Sequence, residues 1–245
     1  MADRDDVGHE DEDAGTTDRV LDNPVWYALI SSHRSLGRAT ALAARYQSDI
    51  APFGALAPRS TAAHWAHLAE LVGPGGTVLL TGNTPDPPPT WVVSRASAAM
   101  QLVFEGTPGL GEDGDRDEIV PLGPEDVPAM LHLIELAQPG PFRSRTVHFG
   151  GYVGIRRHGR LVAMAGERLR PPGYAEISAV ATDPAYRGRG LATRLVRRVA
   201  DRIVQRGEVP FLHVAVTNED ALRLYQAMGF TLRRPVVFVL AQAPH

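Results

Sequence analysis

The chain has 245 residues, a 44% hydrophobic share, a formal net charge of -3 and no cysteine. The missing cysteines exclude disulfides, thiolate metal sites and cysteine nucleophiles. The small negative charge gives no general attraction to nucleic acid or to an anionic membrane, and the length allows one large domain or two of about 120 residues.

Residues 1–19 carry eight acids, from Asp3 to Asp18, against Arg4 and Arg19, with almost nothing apolar. Such a stretch cannot bury enough surface to order itself, so a disordered acidic tail is expected. No run approaches the roughly 18 apolar residues of a membrane helix, and the acidic start is unlike a signal peptide, so a cytoplasmic location is the expectation.

Asn23-Pro24 opens the first helix, with Val25, Trp26, Leu29 and Ile30 on its apolar face. Residues 36–47 read as a second helix, with a short extended piece near 46–50. Residues 61–72 read as a third, with Trp65, Leu68 and Val72 on one side. Strands are expected at 77–81, 91–95 and 99–104. His64 and His67 stand three apart, but with no third ligand nearby they read as helix-surface histidines and no metal site is expected. Residues 20–105 show no phosphate loop and no catalytic spacing, so they read as a non-catalytic lobe. Residues 106–118, rich in glycine and acids, have the composition of a linker to a second domain at 119–245.

In that second domain a strand at 119–122 precedes a helix opened by Gly123-Pro124. Strands at 152–156 and 161–169 are joined by Arg157-His158-Gly159-Arg160, a hairpin signal. Residues 174–181 are small, β-branched or apolar apart from Glu176, and strand alternation puts Glu176, Ser178 and Val180 on one side. Asp183-Pro184 turns the chain. Arg187-Gly188-Arg189-Gly190 then leads into a helix on which Leu191, Leu195, Val199 and Ile203 recur. A helix N-terminus behind two glycines, with two arginines beside it, is suited to phosphate. The chain contains no lysine, which excludes a P-loop, and Thr193 stands where a dinucleotide fingerprint needs its third glycine. The arginines at 194, 197, 198, 202 and 206 read as the solvent face of this helix.

Arg187-Gly-Arg-Gly190-Leu-Ala192 resembles the pyrophosphate loop, Gln/Arg-x-x-Gly-x-Gly/Ala, of the GNAT acetyltransferases. Its flanking strands, Asn218, the helix from Glu219 and the ending Met228-Gly229-Phe230 extend the resemblance over roughly residues 117–241. The first half resembles, with less specific motifs, the degenerate N-terminal lobe of two-lobed members such as the glycine N-acyltransferase-like branch. The resemblance implies an α/β GNAT fold, a mixed central sheet flanked by helices. It implies acetyl-CoA as co-substrate, no metal, and acetyl transfer to the primary amine of a small molecule or amino acid, with a homodimer compatible. A protein or peptide acceptor is the alternative, and a non-catalytic coenzyme A-binding regulatory protein is the rival from another class.

The family's cofactor wedges between two diverging strands, here 174–181 and 211–217. By resemblance Val180, Ala181 and Thr182 contact the acetyl and pantetheine portions. Arg187, Gly188, Arg189, Gly190, Leu191 and Ala192 hold the pyrophosphate, and Asn218 completes the contacts. Tyr225 matches the family's general acid, although a tyrosine sharing a helix face with Ala221, Leu224 and Met228 also suits plain packing. Glu176 is the candidate base; its other reading is a strand glutamate paired with a group such as Arg168. His213 is a weaker candidate for the base.

Overall fold

The computed structural model describes residues 20–82, 86–106 and 119–245. The expected acidic tail, and all of the expected linker except Gly106, lie outside the described residues. Pro24 starts α1 (Pro24–Leu29), and β1 (Gly37–Ala39), β2 (Ala43–Tyr46) and β3 (Gly54–Leu56) follow as a small antiparallel sheet. Strands therefore replace the helix expected over 36–47. Alanine favours helix, but pairing β2 between β1 and β3 buries Ala43, Ala44 and Tyr46, and that packing outweighs propensity. In α2 (Ala62–Val72) the His64 ring caps the helix, accepting the Thr61 N–H at 3.0 Å.

The main sheet has eight strands in the order β4-β11-β5-β10-β9-β8-β7-β6. β4 (Thr77–Leu80) and β5 (Val92–Phe104) come from the first half of the chain. β6 (Ile119–Pro121), α3 (Val127–Ala137), β7 (Val153–Arg157), β8 (Arg160–Glu167) and β9 (Tyr174–Thr182) follow. α4 (Leu191–Gln205), β10 (Val209–Ala215), α5 (Glu219–Ala227) and β11 (Phe230–Gln242) complete the chain. The strands expected at 91–95 and 99–104 are one strand, because β11 pairs with β5 along its whole length. Neighbours are antiparallel except β9 and β10. Residues from both sides of the expected linker thus share one sheet, with β5 between β10 and β11.

On one face of the sheet Leu191, Leu195, Val199 and Ile203 of α4 pack with Ala175, Ile177 and Leu212, as their helical spacing dictates. On the other face the first half covers Leu169, Tyr174 and Phe211, while α3 covers Met164 and Ala181.

His33 is buried in this second face, stacked on Phe149 at 5.3 Å between ring centroids, with Nδ1 2.8 Å from the Tyr46 hydroxyl. Burial, aided by the nearby Arg170 charge, pulls its pKa down to about 4. The unfolded chain takes up that proton near pH 6.5 and the folded chain does not, so stability falls as pH drops from 6.5 towards 4. At pH 5 the expected loss is about 2 kcal/mol relative to neutral pH. Urea unfolding at pH 7 and pH 5 reads this slope, and His33→Gln is expected to flatten it; an unchanged slope would assign the acid sensitivity elsewhere.

Candidate active site

β9 and β10 pair only where Tyr174, Ala175 and Glu176 meet Val209, Pro210 and Phe211. Both strands continue past that point, to Thr182 and Ala215, without pairing to each other, so a gap opens between them. At the mouth of the gap β9 carries a bulge: Ser178 pairs with Gly166 and Ala181 with Met164, leaving two residues opposite one. Ala179 sits there at φ +52°, a conformation that costs a non-glycine residue about 1–3 kcal/mol. The bulge reverses the alternation of the strand. Ala175, Ile177 and Val180 pack towards α4, whereas Ala179 and Ala181 pack towards α3. The expectation that Val180 shares a side with Glu176 is therefore corrected, because strand alternation cannot anticipate a left-handed residue.

The chain leaves β9 through Asp183, whose Oδ1 accepts the Ala185 N–H at 2.9 Å, and through a single 3-10 turn at Pro184–Tyr186. Gly188 and Gly190 follow at φ +73° and +72°. A Cβ at either would meet nothing within 4 Å, so open space lies above the loop, and glycine is required by the backbone angle. The first hydrogen bond within α4 runs from the Arg194 N–H to the Gly190 carbonyl at 3.1 Å. The N–H groups of Leu191, Ala192 and Thr193 thus precede the helical ladder and have no backbone partner among the described residues. Arg189 lies over the Tyr186 ring at 5.0 Å. The buried Thr182 Oγ1 has no hydrogen-bond partner among the described residues. Free N–H groups, two arginines and an uncovered glycine loop fit the pyrophosphate of coenzyme A.

Across the gap Asn218 caps α5, its Oδ1 accepting the Ala221 N–H at 3.2 Å. About two turns on, Tyr225 is buried in the cluster that Val180 packs against, its ring 6.0 Å from that of Phe230. Burial pushes the phenol up to about 12, so it keeps its proton throughout the neutral range. Its hydroxyl makes no hydrogen bond to the described residues.

Glu176 is fully buried. Arg168 donates Nε to Oε2 at 2.8 Å and Nη2 to Oε1 at 2.5 Å, His213 Nδ1 lies 2.7 Å from Oε1, and the Leu169 N–H lies 3.4 Å from Oε2. Burial alone would raise this carboxyl, but the Arg168 charge and hydrogen bonds, joined by those of His213, hold it at about 2. Four contacts fill the lone pairs of the two oxygens. Of the two readings of Glu176, the pairing with Arg168 is the one seen here, and the group anchors a buried ion pair. His213 is occupied as well. Arg233 donates to Gln101 Oε1 at 2.8 Å, which turns the Gln101 amide N–H groups towards the Leu21 carbonyl and His213 Nε2, 3.1 Å away. Both ring nitrogens of His213 are thus engaged, Nδ1 with Glu176 and Nε2 with Gln101.

Beside this cluster, on the face opposite α4, lies an open cavity of about 780 Å³. Its walls include Phe53 and Arg95 from the first half, and Glu135, Arg143, Arg168 and His213 from the second. The contribution of Arg95 and Phe53 was not legible in sequence, because Arg95 arrives with β5, inserted beside β10, and Phe53 through its bridge to Leu79 of β4. Among the described residues no group of three His, Asp or Glu side chains could hold a metal ion, and no helix is long and apolar enough to cross a membrane.

Comparison with known proteins places this geometry. A family model described as FR47-like protein matches residues 152–239, which hold β8, β9, the glycine loop, α4, β10 and α5. The crystal structure of a protein from Novosphingobium aromaticivorans, assigned to the GNAT family of acetyltransferases, is 40% identical. The match covers 92% of this chain and 99% of that one, with a TM-score of 0.83. The chain belongs to the GNAT family of acetyltransferases. Its GNAT fold thus extends through the first half, which supplies β4 and β5. Among curated relatives, the N-alpha-acetyltransferase RimI of Mycobacterium tuberculosis is 45% identical over 82 residues, 32% of this chain and 51% of that protein. The mycothiol acetyltransferase of Thermomonospora curvata is 35% identical over 89 residues, 36% of this chain and 29% of that protein. The matched segment spans about half the length of RimI and less than a third of the second relative.

Proposed function

We propose that the chain is an acetyl-CoA-dependent N-acetyltransferase acting on the primary amine of a small acceptor. The observation that carries this is the parting of β9 and β10 at the Ala179 bulge, directly upstream of a glycine loop with unpaired N–H groups. Bound acetyl-CoA supplies an acetyl group already activated as a thioester. Arg187, Gly188, Arg189, Gly190, Leu191 and Ala192 hold its pyrophosphate, Thr182 and Asn218 offer polar groups along the gap, and Ala181 walls it. Backbone N–H groups near Val180 polarise the acyl carbonyl, a contribution that strengthens in a site shielded from water. Tyr225 holds a proton at Oη for the departing sulfur.

Of the two candidate bases, neither Glu176 nor His213 is free, since both are held by hydrogen bonds. The acceptor amine accordingly loses its proton to water before attack, and the pH profile follows the acceptor. The 780 Å³ cavity, walled by both halves of the chain, favours a small acceptor over an extended one. The similarity to RimI favours a second reading, a protein or peptide α-amine.

Acetyl-CoA at about 100 times its Kd is expected to stabilise the fold by about 2.7 kcal/mol, read as a rise in Tm. No shift at millimolar acetyl-CoA would defeat the proposal. A shift without CoA release on any amine or peptide would instead mark the non-catalytic coenzyme A-binding protein.

A further inference from the structure

We propose that the acceptor carries a carboxylate beside its amine, as a free amino acid does, and that Arg95, Arg143 and the outer edge of Arg168 read that carboxylate. The inference rests on the acetyltransferase reading above and adds the substrate class.

The cavity walls hold three arginines and a single acid, Glu135. Arg168 has its charge matched by Glu176, and both ring nitrogens of His213 are engaged by Glu176 and Gln101. Arg95 and Arg143 form no ion pair with the described residues; Arg143 donates Nη1 to the Ser48 carbonyl, which leaves its charge unmatched. Against Glu135 the lining arginines therefore keep one positive charge in excess. Such a wall raises the local concentration of anions and disfavours cationic acceptors that lack a carboxylate.

Arg168 adds geometry to that charge. Glu176 takes its Nε and Nη2 edge, and the guanidinium lies over the Phe53 ring at 5.0 Å, so the group is locked on two sides. Nη1 is the one nitrogen of the fork not held by Glu176, and Arg168 itself lines the cavity. A guanidinium fixed in this way presents its remaining donors without losing side-chain freedom on binding. Glu176 and Arg168 are then positioning and binding residues for the acceptor. Arg95 and Arg143, both exposed and both lining this cavity, supply the remaining charge for the same carboxylate.

The test is a CoA-release assay on matched acceptors: alanine and glutamate, their amides, ethylamine, and a short alanine-led peptide. A charge-assisted hydrogen bond to the carboxylate predicts that the free amino acids exceed the amides and ethylamine by roughly tenfold to a hundredfold in kcat/KM. Arg143→Ala and Arg95→Ala are expected to bring that ratio towards one, mainly through KM for the amino acids, and Arg143→Glu to reverse it. An unchanged Tm rise with acetyl-CoA shows that each variant is folded and binds the donor. Equal or better use of amides, ethylamine or peptide overturns the proposal and leaves the acetyltransferase reading standing. Absence of turnover on every acceptor, with the acetyl-CoA shift retained, also overturns it. Absence of both the shift and turnover defeats the acetyltransferase reading itself.

Discussion

Glu176→Gln is expected to lower folding stability by about 3–5 kcal/mol, the usual cost of removing one partner from a buried ion pair. The glutamine would leave the buried Arg168 guanidinium with an unmatched charge and would present an amide where two arginine N–H groups and the His213 N–H now converge. The acid limb of the stability profile gives an independent check. Glu176 titrates at about 2 in the folded protein and near 4.5 when unfolded. Its depressed value therefore stabilises the fold above pH 4.5 and ceases to do so as pH falls towards 2. That difference corresponds to about 3 kcal/mol. Urea midpoints of the wild type and of Glu176→Gln are expected to differ widely at pH 7 and to converge near pH 2. A variant with an unchanged midpoint but abolished turnover would restore Glu176 as the base.

The sequence showed the two readings of Glu176 but could not choose between them. Offset from the loop placed it where a base could stand, and only the arrival of Arg168 and His213 from neighbouring strands filled its lone pairs. The same limit explains the other differences. The glycine loop, α4, the Asn218 cap and the strand before the loop were legible because each is encoded locally, by spacing, turn residues or a cap. The Ala179 bulge was not, since alanine gives no signal for φ > 0 and the surrounding run reads as uniform strand. Residues 36–47 were misread because their alanines favour helix in isolation, while their pairing depends on residues 54–56. The boundary between lobes is a third case. Composition marks a linker at 106–118, yet β5, just before it, runs between β10 and β11. A long-range ladder of this kind leaves no trace in local composition, and with it went the part of the cavity wall formed by Arg95.

Tyr225→Phe is expected to lower kcat by roughly 10²–10⁴-fold, the range for loss of a positioned acid. KM for the acceptor and the Tm rise with acetyl-CoA should stay close to wild type, because the lost group acts on the leaving sulfur and not on binding. The substitution keeps the ring that packs against Phe230 and removes a hydroxyl with no hydrogen-bond partner among the described residues, so stability should change little. That separates it from Glu176→Gln, where stability falls and any effect on turnover runs through the hold on Arg168 and so through acceptor KM. With its phenol at about 12, Tyr225 is protonated across the whole neutral range and contributes no limb to the pH–rate profile there. The rise of rate with pH should therefore move when the acceptor amine is exchanged for one of different pKa, in wild type and variant alike. A kcat within twofold of wild type would assign Tyr225 to packing alone. A limb that stayed fixed across acceptors would point to an ionising group of the protein that the hydrogen-bonded Glu176 and His213 do not supply.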